Sequence, residues 1–177
     1  MPSPTPLRIA LTILLVAAGS TAGAWIFQSL GHVPCELCLK ERIPYYAGGA
    51  LAALTVVLSR RGPENLLPAA FAGLALIFAA GTALGAYHSG IEFGLWPGPS
   101  DCTGPLGKAG SVGDFLKQLQ TVKVVRCDQV SLRVLGFSLA VWNALISTGL
   151  SGLSAVGLAL TLRQRGGPAR AASRFRS

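Results

Sequence analysis

Four long apolar runs, separated by shorter polar segments, dominate the hydrophobic pattern of this chain. They cover residues 9–30, 43–59, 66–87 and 134–162. A helix needs about 20 apolar residues to cross a bilayer, and lipid offers no hydrogen-bond partner to an open backbone. The pattern therefore predicts an all-α membrane protein, a bundle of four transmembrane helices, in which the run at 43–59 is borderline in length.

The first run also has two features of a secretory signal peptide. Arg8 precedes it, and the Ala-Gly-Ala sequence at 22–24 has the shape of a cleavage site. Apolar residues continue beyond that site, through residues 25–30. We therefore expect this run to be an uncleaved membrane helix.

The amino-acid composition also indicates a membrane environment. Of the 177 residues, 51% are hydrophobic and 12% are charged, and the mean hydropathy is +0.53. A soluble domain carries about 25% charged residues, and a disordered chain has low hydrophobicity. An ordinary soluble globule and a disordered protein are both excluded.

The net charge of +8 is unevenly distributed and predicts the orientation of the helices. The segments before the first run, between the second and third, and after the fourth hold one group of basic residues: Arg8, Arg60, Arg61, Arg163, Arg165, Arg170, Arg174 and Arg176. The positive-inside rule places these segments, and both termini, in the cytoplasm. We expect outward loops at 31–42 and 88–133, one membrane domain at 1–163 and a disordered basic tail at 164–177.

This charge distribution narrows the possible functions. We interpret the excess of basic residues as a signal that orients the helices in the membrane. Contact with anionic lipid is a secondary interpretation. No nucleic-acid partner is expected. No Lys, Arg, Asp or Glu lies inside the runs, which argues against an ion pump or a transporter of charged substrates. Two GxxxG pairs, Gly19/Gly23 and Gly81/Gly85, favour close packing of helices within the bundle.

All four cysteines fall in the expected outward loops. Cys35 and Cys38 form a CxxC motif, and Cys102 and Cys127 lie in the long second loop. An oxidising compartment favours disulfides, and the short CxxC loop favours a redox-exchangeable bond. Inert structural disulfides are the main alternative.

Metal and haem sites have weaker support. A zinc site is typically built from two tight knuckles, and Cys102 and Cys127 do not form a second one. A c-type haem is excluded because Leu39, not a histidine, follows the CxxC. A b-type haem held between His32 and His88 is a minor alternative.

Arg42 follows Cys38 by four positions. On one continuous helix the two side chains share a face, and the guanidinium lowers the pKa of the Cys38 thiol. Pro44 favours a different geometry, in which a helix starts at Pro44 and the two side chains meet across a loop. An interfacial anchor is the alternative role for Arg42.

The loop at 88–133 is too long for a simple connector. Proline and glycine make residues 96–101 extended, directly before Cys102, which suits a thiol that enters a groove of a partner protein. Apolar residues at helical spacing follow: Val112, Phe115, Leu116 and Leu119. They predict a short amphipathic helix in the membrane interface or packed on the loop.

Together these features resemble the family of bacterial disulfide bond formation protein B (DsbB), the quinone-reducing thiol oxidases of the inner membrane. The resemblance covers the chain from about Leu7 to Leu162. The matching positions are Cys35-x-x-Cys38 with Arg42, then Tyr87-His88, then Pro99-x-x-Cys102, and then Cys127 before the last run.

The resemblance implies a route for electrons. A periplasmic thioredoxin-like (DsbA-like) thiol oxidase attacks a Cys102–Cys127 disulfide and forms a mixed disulfide with Cys102. Cys127 then exchanges with Cys35. Cys38 is released as a thiolate and interacts with a membrane quinone, ubiquinone or menaquinone.

The resemblance also implies roles for the charged neighbours. Arg42 stabilises the Cys38 thiolate and the charge on the reduced quinone, and His88 lies near the quinone. Glu41 is expected to be a structural partner of Arg42, and no metal is expected. Two other hypotheses are a structural membrane protein with inert disulfides and a relative of vitamin K epoxide reductase. The latter carries its CxxC on a later helix.

Overall fold

The computed structural model describes residues 4–99, 111–113, 127–128, 130 and 132–174. The described part is mostly helical. Its elements are α1 (Pro4–Ser29), α2 (Glu36–Lys40), α3 (Ile43–Arg61), a 3-10 turn (Glu64–Leu66), α4 (Leu67–Glu92), β1 (Arg133–Val134), β2 (Phe137–Ser138) and α5 (Leu139–Arg174).

The four long helices pack side by side around a small apolar core. α1 contacts α3 and α5, α3 contacts α4, and α4 packs most extensively on α5. Ile13, Phe71, Leu74 and Phe78 are fully buried at the centre. Many large apolar side chains instead point outward, among them Leu76 with 72% of its surface exposed. Such a surface is unfavourable in water and suits a lipid environment.

Three described helices are long and apolar enough to cross a membrane: Thr5–Ser29, Glu64–Glu92 and Leu139–Arg165. They coincide with the first, third and fourth predicted runs, so the chain is a membrane protein. The second run forms α3, a helix of 19 residues that ends in two arginines. That α3 also crosses the bilayer remains a prediction.

Aromatic side chains gather at the end of the helices where α1 and α4 finish and α3 and α5 begin. Trp25 donates its indole N–H to the Tyr46 hydroxyl over 3.2 Å. Trp96 donates to the Tyr87 carbonyl, and Trp142 donates to the Val134 carbonyl. Tryptophan and tyrosine favour the membrane–water interface, so this end is expected to lie there.

The start of the last helix differs from the prediction. The fourth run was expected to be helical from residue 134, but α5 begins at Leu139. Before it, β1 and β2 pair antiparallel, with Val134 opposite Phe137. Leu135 and Gly136 have φ angles of 52° and 87° and form the two-residue turn. Two successive positive φ angles suit a tight hairpin whose twist matches its strands.

Two further predictions concern the tail at 164–177 and the amphipathic helix in the loop at 88–133. The tail at 164–177 was expected to be disordered, but α5 continues to Arg174. Alanine and arginine, both good helix formers, recur in this segment. Of the predicted amphipathic helix, the structure describes 112–113, which are helical. Phe115, Leu116 and Leu119 lie outside the described residues.

One of the two GxxxG pairs lies at a close helix contact. A Cβ added to Gly85 would lie 2.8 Å from the Ala144 nitrogen on α5. A Cβ on Gly81 would lie 3.0 Å from the Ser147 hydroxyl. At Gly19 and Gly23, no described atom lies within 4 Å of an added Cβ. The packing role predicted for both pairs therefore applies to the pair on α4.

We expect Gly85→Ala to lower the thermal stability of the protein in detergent. The added methyl group overpacks a backbone contact, which costs about 1–3 kcal/mol. Gly19→Ala is the matched control, because its Cβ is unobstructed and alanine favours a helix interior by up to about 1 kcal/mol. Equal loss of thermal midpoint in both variants would contradict the assignment.

Candidate dithiol active site

Cys35 and Cys38 are held at the first turn of α2. Cys35 is the N-cap of this helix, and its Sγ accepts the backbone N–H of Cys38 over 3.1 Å. Both cysteines are free thiols, and Cys35 is 4% exposed. A sulfur that accepts a hydrogen bond at a helix start is favoured as a thiolate.

His88 comes from the end of α4 and connects the dithiol to Glu41. Its Nε2 lies 3.7 Å from Cys35 Sγ, and its Nδ1 donates to Glu41 Oε1 over 2.9 Å. His88 is 2% exposed and Glu41 is 7% exposed. α4 continues past Tyr87, where the third run was predicted to end, to Glu92. This extension and the turn at 41–42 together place His88 and Glu41 against each other.

The environment of Cys35 favours its charged form. The hydrogen bond from the Cys38 thiol is the largest cause, and it lowers the pKa of Cys35 to about 5 although burial opposes the change. The same hydrogen bond, followed by burial, raises the pKa of Cys38. The sequence predicted a stabilised thiolate at Cys38, released when Cys35 is bonded to Cys127. With both cysteines free, as here, the hydrogen bonds favour the thiolate at Cys35, which accepts them.

Glu41 does not have the partner that the sequence suggested. It was expected to pair with Arg42, but among the described residues its ion pair is with His88. Adjacent side chains at the turn between α2 and α3 point in different directions, so the neighbours in sequence are not neighbours in space. Burial raises the pKa of Glu41, and the hydrogen bond from His88 opposes that change.

Arg42 instead turns toward α1. Its Nη1 donates to Gln28 Oε1 over 2.7 Å, and its Nη2 donates to the Ala24 carbonyl over 3.3 Å. The guanidinium also lies 5.9 Å from the centre of the Trp25 ring. Because α2 ends at Lys40 and α3 begins at Ile43, Cys38 and Arg42 are not on one continuous helix. The alternative geometry, in which they meet across a turn, is the one observed.

A cavity of about 330 Å³ joins Cys38 to Arg42. Its wall comes from α1, α2, the start of α3 and the start of α5, and it includes Phe27, Gln28, Cys38, Arg42, Trp142 and Asn143. Cys38 faces this cavity, whereas Cys35 is not part of its wall. The Nδ2 atom of Asn143 is buried and has no hydrogen-bond partner in the described structure.

Cys127 lies on the other side of the dithiol. It is 1% exposed and belongs to one buried cluster with Cys35, Leu37 and Ile91. Cys127 is disulfide-bonded, unlike Cys35 and Cys38. Cys102, the other loop cysteine, lies outside the described residues. The CxxC therefore has a buried protein side, next to Cys127, and a cavity side, next to Arg42.

The positions of the histidines weaken the haem hypothesis. His32 lines the cavity and packs edge-on against Phe27. His88 lies too close to Cys35 for a porphyrin ring to come between them. Gln28 and Asn143, which line the cavity, were not among the residues that the sequence predicted for the site. The hydrophobic pattern of the sequence predicts neither the hydrogen bond between Gln28 and Arg42 nor the unpaired amide of Asn143.

Comparison with known proteins now decides the family. The sequence model of "Disulfide bond formation protein DsbB" matches residues 6–157. The chain belongs to the DsbB family. This confirms the resemblance drawn from the cysteine, arginine and histidine motifs.

Curated members of the DsbB family match along most of their length. Disulfide bond formation protein B of Marinobacter nauticus is 30% identical over 161 residues, which covers 86% of this chain and 89% of the relative. The protein of the same name from Xanthomonas oryzae pv. oryzae is 29% identical over 142 residues, covering 77% of this chain and 81% of the relative. No solved structure gives a significant match. Membership in the DsbB family makes this chain a membrane oxidoreductase of disulfide bond formation.

Proposed function

We propose that this protein reoxidises a periplasmic thioredoxin-like dithiol oxidase and passes the electrons to a membrane quinone. The observation that carries the proposal is the two-sided position of the CxxC. Cys35 is buried beside Cys127, and Cys38 faces a cavity beside Arg42. The proposal includes four transmembrane helices, cytoplasmic termini, and the dithiol at the outer face of the inner membrane.

The first steps are two thiol–disulfide exchanges. A thiolate of the reduced partner attacks the Cys102–Cys127 disulfide at Cys102, and the second thiol of the partner resolves the mixed disulfide. The partner leaves oxidised, and Cys102 and Cys127 become thiols. Cys127 then attacks Cys35 of a Cys35–Cys38 disulfide, and Cys38 leaves as the thiolate. Cys102 next resolves the Cys127–Cys35 bond, so that two electrons now reside on the CxxC.

A quinone head group fits the cavity between Cys38 and Arg42. Ligand pockets have volumes of about 300–1,000 Å³ and few polar groups. The volume of this cavity, about 330 Å³, lies near the lower end of that range. Its polar groups include the Arg42 guanidinium and the unpaired Asn143 amide, which are donors suited to carbonyl oxygens. When bound, the quinone accepts the two electrons of the dithiol together with two protons.

The neighbouring side chains prepare the dithiol for this transfer. The Cys38 sulfur faces the cavity, and the Cys35 thiolate lies next to it as the nucleophile that closes the Cys35–Cys38 disulfide. His88 holds its Nε2 toward Cys35, and Glu41 fixes the ring through Nδ1. Arg42, held by Gln28, places a fixed positive charge where negative charge develops.

The test is quinone reduction by the purified protein in detergent. We expect a reduced thioredoxin-like partner to drive loss of quinone absorbance with either ubiquinone or menaquinone analogues. Cys38→Ser and Cys102→Ser should each abolish this reaction, because each removes a sulfur of the relay. Ala80→Ser, at an exposed position of α4, is the matched control and should retain it.

The outcome that overturns the proposal is specific. If several quinones stay oxidised in the presence of reduced partners, while the protein remains folded with its cysteines oxidised, the protein is not a quinone-coupled oxidase. Inert structural disulfides would then be the better interpretation. Reduction that persists in Cys38→Ser would remove Cys38 from the route.

Asn143 provides a separate test of the cavity. We expect Asn143→Leu to weaken binding of a quinone analogue roughly two- to tenfold, the value of one hydrogen bond of about 0.5–1.5 kcal/mol. The thermal stability should change little, because Nδ2 has no described partner and the hydrogen bond that Oδ1 accepts from Ser147 is long, at 3.5 Å. Quenching of Trp142 fluorescence measures the affinity, and Thr148→Val on the same helix is the control. Unchanged affinity in Asn143→Leu would exclude this contact.

A further inference from the structure

Three potential metal-ligand atoms converge at the dithiol. Cys35 Sγ, Cys38 Sγ and His88 Nε2 all lie within 4.8 Å of one another. In tetrahedral zinc sites the Zn–S and Zn–N distances are about 2.3 and 2.0 Å, which separates a sulfur and a nitrogen ligand by about 3.5 Å. The observed distance between Cys35 Sγ and His88 Nε2 is 3.7 Å. The distance between Cys35 Sγ and His88 Nε2 therefore matches that of a zinc site, and Cys38 Sγ lies within 4.8 Å of both atoms.

Glu41 completes the support that such a histidine needs. Zinc-binding histidines usually donate their other ring N–H to a carboxylate, which fixes the ring and its tautomer. Here His88 Nδ1 donates to Glu41 Oε1 over 2.9 Å, and both side chains are buried. Nε2 is thereby directed at the Cys35 sulfur, and it becomes a metal ligand when its proton is displaced.

A second, smaller cavity lies at the three ligand atoms. Its volume is about 20 Å³, and its wall includes Cys35, Cys38, His88 and Glu92. About 10–15 Å³ is enough for one water molecule, so a single ion fits and a larger ligand does not. The Glu92 carboxylate adds negative charge to this wall, and it accepts a hydrogen bond from Ser138. This cavity is distinct from the larger one proposed for the quinone.

We propose that the reduced dithiol binds Zn²⁺ through Cys35, Cys38 and His88, with a water molecule in the fourth position. Sulfur and imidazole ligands select zinc over magnesium or calcium. Binding displaces the protons that the reduced site holds, on Cys38 and on His88 Nε2, and changes no oxidation state. The Cys35–Cys38 disulfide has no thiolates to offer, so zinc binds the reduced form only and opposes its reoxidation. The sequence argument against zinc considered cysteines alone and missed the third ligand from α4.

Cobalt(II) is the probe for this site. We expect the reduced, reductant-free protein to give the visible bands of tetrahedral cobalt–thiolate coordination, and Zn²⁺ to remove them by competition. The oxidised protein should give none of these bands. A Cys102→Ser/Cys127→Ser variant should still give them, which shows that the loop cysteines are not the ligands. Absence of the bands in the reduced protein would overturn the proposal without any variant.

Variants assign the ligands. His88→Ala should weaken cobalt binding at least tenfold, and Glu41→Gln should weaken it about ten- to a hundredfold, as loss of a supporting carboxylate does. His32→Ala is the matched control and should bind cobalt normally. Equal affinity in His88→Ala and His32→Ala would exclude His88 as a ligand. The inhibitory consequence rests on the proposed oxidase function, whereas the cobalt spectrum is independent of it.

Discussion

The ultraviolet absorbance of the reduced protein should show one thiolate forming near pH 5. The hydrogen bond from Cys38, together with the neighbouring His88, lowers the pKa of Cys35 from an ordinary value of 9.0 to about 5. At pH 6 a thiol of ordinary pKa is ionised to about 0.1%, so the thiolate fraction at Cys35 should be about a thousandfold higher. The Cys38 thiol should ionise only at high pH.

Three variants separate the causes of this titration. Cys35→Ser should remove the step near pH 5. Cys38→Ala should move it upward, since it removes the strongest hydrogen bond to the Cys35 sulfur. His32→Ala should leave it in place. Two thiols that both titrate near their ordinary pKa, measured with a chelator present, would contradict the structure of the site.

The same shift links stability to pH. The folded-state pKa of Cys35 is lower than the unfolded one, so ionisation stabilises the folded, reduced protein. This stabilisation is complete above the ordinary thiol pKa and is lost as the pH falls through about 5. The oxidised protein lacks the thiol and should not show this dependence.

Arg42→Met should raise the KM for quinone about ten- to a hundredfold. A hydrogen bond to a charged group contributes about 1.5–3 kcal/mol, and each 1.4 kcal/mol changes an affinity tenfold. The methionine keeps much of the length of the side chain and removes the charge and the donors. Initial rates of quinone reduction at varied quinone concentration measure the effect.

Gln28→Leu tests whether the position of Arg42 matters. Gln28 acts through its 2.7 Å hydrogen bond with Arg42, so its loss should raise KM less than the loss of Arg42 itself. Adding Gln28→Leu to Arg42→Met should then have little further effect, because the two residues act as one unit. A fall in kcat with unchanged KM in Arg42→Met would assign Arg42 a role other than quinone binding.

Local sequence patterns predicted the helices well and their ends less well. The apolar runs mark α1, α4 and α5, because a lipid-facing helix must be apolar over its whole length. The hairpin before α5 escaped detection because residues 134–137 are as apolar as the helix that follows. Only Gly136 signalled a turn, and a single glycine is common in membrane helices.

The candidate site shows the same division between local and distant information. The CxxC and Arg42 are visible in the sequence because their chemistry is local. The contact between Glu41 and His88 joins residues 47 positions apart. No periodic pattern encodes that contact, so Glu41 was assigned to its immediate neighbour. The preference for a Cys35 thiolate also depends on these three-dimensional contacts.

The two-sided CxxC has a consequence for how the protein avoids wasteful reactions. Cys35 lies in the protein interior beside Cys127, and Cys38 lies in the wall of the cavity. Among the described residues, these two adjacent sulfurs are the redox groups that connect the two regions. Cys127 is not part of the cavity wall, so in the proposed relay its electrons reach the cavity through Cys35 and Cys38. Under the proposed function, electrons enter by disulfide exchange, so their entry depends on recognition of a partner protein. We propose that this arrangement limits direct reduction of the quinone by small cellular thiols.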